Sequence, residues 1–141
     1  MLSPQEADRF LAERHKGVLV TLKSDGRPQL SNIVYALLAE RVRVSVTADR
    51  AKTRNLARDP RVSLHVTSDD FWRYLVVEGE AELSPIASEP GDAVCRRLLE
   101  LHDAVAWKPH PDPAEFHQAM VAEGRLELSF AVQHRYPVSG S

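Results

Sequence analysis

The chain has 141 residues, of which 43% are hydrophobic and 27% charged, with a formal net charge of −2. That length suits one domain over residues 1–141 with a single core, and the near-neutral balance gives no general attraction to nucleic acid or an anionic membrane. The single cysteine, Cys95, excludes an intramolecular disulfide and a cysteine metal cluster, and its expected role is helix filler.

Ser3, Pro4 and Glu6 make a capping box that opens a helix, with Ala7, Phe10 and Leu11 on its apolar side and Gly17 ending it. The start Met1-Leu2-Ser3 lacks the basic and apolar segments of a signal peptide, and no apolar run reaches the ~20 residues of a membrane span. A cytoplasmic protein is therefore expected. Gly17 to Leu22 is a β-branched strand, Asp25-Gly26 a tight turn, and a second strand runs from about Pro28 to Leu38. After a turn at Glu40-Arg41, Val42, Val44 and Val46 alternate with polar residues in a third strand.

Asp49 to Arg58 is a short helical stretch stopped at Asp59-Pro60. Val62 to Val66 and Trp72 to Leu83 are strands separated by a turn at Ser68-Asp69-Asp70. Gly91 to His102 is helical, Asp112-Pro113-Ala114-Glu115 caps another helix, and Arg125 to Val132 is the last strand, followed by a loose tail from Val138 to Ser141. Six antiparallel strands in so short a chain favour closure. The expected fold is therefore mainly β (α+β), a barrel with flanking helices. The order is not the βαβ alternation of a dinucleotide-binding domain, and Gly-x-Gly-x-x-Gly is absent.

Three local features carry chemistry. Arg50, Lys52, Arg54, Arg58 and Arg61 place five cations within twelve positions at the start of a short helix. Helix N–H groups beside Arg50, Lys52 and the Thr53 hydroxyl suit a phosphate, whereas a solvated basic helix paired with acids such as Asp59 is the alternative. Gln29, Ser31 and Asn32 offer donors and acceptors to a heterocycle, or else form a wet strand end. Trp72 and Tyr74, two apart, would share a strand face and stack on a planar ring, or cover a subunit contact. The six histidines show no metal-ligand spacing, and no Gly-x-Ser-x-Gly elbow presents a nucleophile, so neither a metal site nor hydrolase chemistry is expected.

Taken in order, Gly17-Val18-Leu19-Val20-Thr21, Asp25-Gly26-Arg27-Pro28-Gln29-Leu30-Ser31-Asn32, Arg50-Ala51-Lys52-Thr53-Arg54-Asn55-Leu56, Asp59-Pro60-Arg61 and Glu78-Gly79-Glu80-Ala81 resemble the pyridoxamine 5'-phosphate oxidase-like split β-barrel superfamily. More closely, the chain resembles the deazaflavin-dependent reductase branch. The resemblance implies a six-stranded split β-barrel and a homodimer with cofactor sites at the subunit interface. It implies coenzyme F420, with FMN as the alternative, held at its phosphate by Arg50, Lys52 and Thr53. Gln29, Ser31, Asn32 and Ser45 would line the ribityl chain and ring, Trp72 and Tyr74 would approach from the partner, and Arg54 and Arg58 would hold the acidic tail. The implied reaction is hydride transfer from the reduced deazaflavin C5 to a small organic substrate, with Tyr74 a candidate proton donor. An FMN oxidoreductase and a cofactor carrier without turnover are the other readings. The ending Gln133 to Ser141 lacks the Arg- and Trp-rich segment of true pyridoxamine-phosphate oxidases, so vitamin B6 oxidation is not expected.

Overall fold

The structure, a computed structural model, describes residues 1–139. Helix α1 (Pro4–Ala12) opens on the expected reciprocal cap between Ser3 and Glu6 and buries Ala7, Phe10 and Leu11. Strands β1 (Lys16–Leu22) and β2 (Pro28–Val34) form a hairpin across Gly26, whose φ of 86° suits glycine. Next come β3 (Ala36–Leu38), β4 (Arg41–Thr47), α2 (Ala51–Arg58), β5 (Arg61–Thr67), β6 (Tyr74–Glu80) and β7 (Glu82–Leu83). Helices α3 (Ala93–Ala106) and α4 (Pro113–Ala122) follow, capped by Asp92 and Asp112, and β8 (Arg125–Ala131) and β9 (His134–Tyr136) end the chain.

The strands make two antiparallel sheets, one ordered β2-β1-β5-β6-β9 and the other β3-β4-β8-β7. The fold is thus α+β, as expected, but it has nine strands among the described residues rather than six. The expected strand over residues 28–38 is broken at Tyr35, which is buried, donates its hydroxyl to the Leu11 carbonyl at 2.7 Å and carries the chain between sheets. Its hydroxyl pKa is raised because burial disfavours the phenolate. The strand expected from Trp72 begins at Tyr74 and breaks at Ala81, and β9 was not foreseen. Residues 138 and 139 are not loose: Val138 is buried and bridges Leu2, and the Ser139 N–H donates to the Leu2 carbonyl at 2.7 Å. The rest of the expected tail lies outside the described residues.

Alternation builds the core. Val42, Val44 and Val46 of β4 face Leu126, Leu128 and Phe130 of β8 and the inward residues of the other sheet, including Leu19, Leu64 and Val77. Gly79 lets the sheets approach, since a Cβ there would lie 2.4 Å from the Ala131 carbonyl oxygen. The opposite face of β4 and β8 carries Arg43, Ser45 and Thr47 beside Ser129, Glu127 and Arg125. The α3–α4 hairpin packs there and has its own small core of Val94, Cys95, Leu98, Phe116 and Met120.

One buried ionic network fastens that hairpin. Arg43 donates to Glu127 at 2.8 Å, to Glu100 at 2.8 Å and to the Arg97 carbonyl at 3.1 Å, while Arg97 donates to the other Glu127 oxygen at 2.6 Å. Burial opposes the Arg43 charge, but these hydrogen bonds outweigh it and raise the guanidinium pKa.

Candidate functional site

The site begins where β4 ends. Its last residue, Thr47, pairs with Arg125, the first of β8, so the two strand ends bring distant cations together. Arg50 caps α2 in an extended conformation without a side-chain cap bond. The Arg54 N–H makes the first helical hydrogen bond, to the Arg50 carbonyl at 3.1 Å. The N–H groups of Ala51, Lys52 and Thr53 therefore lack helical acceptors, as in any first turn.

Among the described residues, the Arg50 and Lys52 side chains have no hydrogen-bond or ion-pair partner. Burial, followed by the neighbouring charges of Arg50 and Arg125, lowers the Lys52 pKa. A half-buried ammonium pushed by two other cations is electrostatically unsatisfied, and an anion would relieve it. The remaining cations of the cluster are engaged. Arg54 donates to the Asp49 carbonyl, Arg58 to the Leu22 carbonyl at 2.7 Å, and Arg61 to Asp59 at 2.8 Å. Arg54 and Arg58, which the resemblance assigns to an acidic tail, each give a guanidinium N–H to a backbone carbonyl and remain exposed.

Thr53 is buried and its hydroxyl donates to the Thr47 carbonyl at 2.8 Å. That bond ties α2 to the end of β4, so toward a phosphate Thr53 offers its backbone N–H rather than its hydroxyl proton.

Beside this charged corner lies a cleft of about 470 Å³ between the strands and the helical hairpin. Asn32, Ser45, Lys52 and Arg125 line its strand side, and the other wall is mostly apolar, with Leu98, Leu101, Val105, Phe116 and Met120. Asn32, Ser45 and Lys52 are therefore together, as the sequence suggested. Gln29 and Ser31 are not with them. On β2 they alternate with Asn32, and the Gln29 side-chain oxygen accepts from Asn55 at 2.8 Å. Asn55 also reaches the Thr21 hydroxyl at 3.1 Å, so this pair joins α2 to the β1–β2 hairpin.

Trp72 and Tyr74 do not line the cleft, and they do not share a strand face. Trp72 lies in a turn held by the Ser68 hydroxyl on Asp70 at 2.6 Å and is 82% exposed. Tyr74, at the start of β6, stacks on His65 with ring centroids 5.4 Å apart. His65 lines a second hollow on the outer face of the five-stranded sheet, and Asn32, Ile33 and Val34 of edge strand β2 line both hollows. Arg125 and His102 are cleft residues that the sequence did not single out. Arg125 depends on the β4–β8 register, which no local pattern reveals; it donates to Glu123 at 2.9 Å and to Ser45 at 3.3 Å. No helix among the described residues is long and apolar enough to cross a membrane.

A profile of the pyridoxamine 5'-phosphate oxidase family matches residues 3–138. Among solved structures, one named F420 reductase is similar at 27% identity and a TM-score of 0.69, over 91% of this chain and 94% of that one. A conserved hypothetical protein from Mycobacterium tuberculosis is similar at 26% identity and a TM-score of 0.75, over 96% and 83% of the respective chains. A heme binding protein from Mycobacterium smegmatis is 25% identical with a TM-score of 0.67; the match spans this whole chain, 100%, but 57% of that one.

Proposed function

Because the chain belongs to the pyridoxamine 5'-phosphate oxidase family, we propose that it is an oxidoreductase of the split-barrel type that binds coenzyme F420 and reduces a small organic acceptor. One observation carries this reading: the unpartnered Arg50 and Lys52 side chains and first-turn N–H groups of α2, set beside a cleft with an apolar wall. That donor set fits a phosphate, and the cleft beside it fits a flat organic ring. The similarity to a protein named F420 reductase favours the deazaflavin over FMN. When bound, the reduced deazaflavin supplies a hydride at C5; the protein binds, orients and keeps water from the reacting face.

The outer face of the five-stranded sheet supports a homodimer. It exposes Leu30 at 61% and Val34 at 49%, with Tyr74 at 41% and Tyr136 at 49%, a group of large apolar side chains of the kind that marks a protein contact. A second copy covering this face would bring Trp72 and Tyr74 near the hollow that Asn32 shares with the cleft, so their roles as partner-side cofactor contacts belong to the proposal. Leu30→Glu is expected to shift sedimentation from dimer to monomer and to weaken cofactor binding with it.

The test is titration of the apoprotein with oxidised F420, FMN and haem, followed by fluorescence, absorbance and calorimetry. Micromolar F420 binding with weaker FMN and haem supports the reading. Preference for FMN makes the protein a flavin oxidoreductase on the same scaffold, and preference for haem overturns the redox assignment. Tight F420 binding without reduction of any acceptor makes it a carrier.

A further inference from the structure

Resting on the anion site read above, we propose that Asn55 and the Thr53 side chain are its positioning residues. Each ties helix α2 to a different sheet, and together they hold the first turn of α2 at a set place beside the cleft.

Helix α2 does not fix its own start. Ser3, Asp92 and Asp112 each accept the backbone N–H three residues on and so pin the first turns of α1, α3 and α4, whereas Arg50 makes no side-chain cap bond. The first-turn N–H groups of α2 are left to a ligand, and the helix is held from further along. The Thr53 hydroxyl donates at 2.8 Å to the carbonyl of Thr47, the last residue of β4 and so part of the four-stranded sheet. Two residues on, the Asn55 amide donates to Gln29 Oε1 at 2.8 Å and to Thr21 Oγ1 at 3.1 Å. Thr21 and Gln29 stand opposite each other on β1 and β2, so this second clamp grips a cross-strand pair of the five-stranded sheet. The Asn55 oxygen accepts from Arg58 at 3.1 Å, which uses the acceptor end of the same amide and fixes the way it faces.

Residues 53 and 55 lie about 200° apart around a helix, so the clamps pull from opposite sides. Thr53 is 6% exposed and Asn55 7%, and their hydrogen bonds are shielded from competing water. The cleft takes Asn32 from β2 and Ser45 from β4, the same two sheets that the clamps grip. A ligand with its phosphate on α2 and its ring in the cleft therefore spans parts whose separation the clamps set. Lys52 sits next to Thr53 in the chain, so its ammonium is carried by the same fixed turn. Gln29, which the resemblance places on the cofactor, acts on it in this scheme through Asn55 and α2.

The test uses inorganic phosphate and the full-length apoprotein, followed by calorimetry and by the Ala51 and Lys52 amide NMR signals. Phosphate should shift both amides in the wild type. Gln29→Leu, which leaves every residue of α2 in place, should weaken phosphate binding roughly five- to tenfold, the scale of one hydrogen bond. Thr53→Val should do the same, while Thr53→Ser, which keeps the hydroxyl, should stay within about twofold of the wild type. Adding Gln29→Leu to Asn55→Ala should weaken binding no further than Asn55→Ala alone, because the bond between them is already gone. A clamp that serves stability alone would lower the melting temperature and leave the phosphate affinity of the folded variants unchanged, and that result overturns the proposal. If Asn55→Ala does not fold, Gln29→Leu and Thr53→Val decide the matter. Phosphate that leaves the wild-type amides unshifted also overturns it, even if F420 binds. Failure of F420 to bind, with phosphate still weakened by the variants, overturns the cofactor and leaves the clamps standing.

Discussion

Two groups of cations stand near the same face of the four-stranded sheet, and they have opposite fates. Arg43 and Arg97 share Glu127, which is 2% exposed, and Arg43 also holds Glu100. Beyond the end of the same strand, Arg50 and Lys52 form no ion pair among the described residues, Arg50 feeling the Asp49 carboxylate only through its field, and Arg125 adds to the positive charge around Lys52. Burying an ion is unfavourable unless it is paired. The first group therefore reads as architecture that seats the α3–α4 hairpin, and the second as a site whose counter-charge is a ligand. Exchanging residues between the two groups should separate stability from binding.

The largest effect is expected at Glu127. Glu127→Ala removes the buried carboxylate that Arg43 and Arg97 share, leaves Arg43 with Glu100 and the Arg97 carbonyl, and should lower unfolding stability by ~3 kcal/mol. Thermal or urea unfolding of the apoprotein measures this. A loss under about 1 kcal/mol would mean the network behaves as an exposed pair and the contrast with Lys52 fails. Because α3 supplies one wall of the cleft, the variant should also bind small apolar probes less tightly.

Lys52→Ala comes next and acts on binding. Loss of a charged donor to a phosphate should weaken cofactor affinity by ~1.5–3 kcal/mol, read by calorimetry, while the apoprotein stays folded. Arg125→Gln should cost less, ~1 kcal/mol of affinity, because Glu123 already draws on its charge. If Arg125→Gln weakens binding more than Lys52→Ala, the anion sits at the strand end rather than at the start of α2.

How far the sequence foretells each group follows from range. The basic stretch is contiguous, so Arg50 and Lys52 are visible as candidates, and the helix caps at Ser3 and Asp112 are equally local. The alternation of Val42, Val44 and Val46 gives a strand and its buried face, but not that Arg43 meets Glu127 or that Thr47 meets Arg125, since those depend on pairing with β8 some eighty residues away. Tyr35 sits in an apolar run that reads as one strand; the corner arises from its bond to α1 and its hand-over between sheets. Thr53 and Gln29 look like ligand groups because their types suit a ligand, but they are bonded to Thr47 and Asn55, partners that only the fold supplies. His102 carries no local signal at all; its neighbours His110 and Phe116 arrive from the next loop and helix.

The smallest effect is also the sharpest test of the contrast, because its sign is unusual. The Lys52 pKa is lowered from its ordinary 10.5, first by burial and then by Arg50 and Arg125. Between the lowered value and 10.5, the unfolded chain binds more protons than the folded one, so stability rises with pH through that alkaline window. Below the window the charged lysine is a standing cost to the empty protein. Lys52→Met should therefore raise apoprotein stability at neutral pH by less than about 1 kcal/mol, because the site is partly open to solvent screening. That gain should vanish above the window, where the wild-type lysine is neutral. Adding inorganic phosphate should reverse the order, raising the melting temperature of the wild type and leaving the variant unmoved. If Lys52→Met instead destabilises the empty protein, the lysine is part of the architecture, and the division between paired and waiting cations is wrong at its central residue.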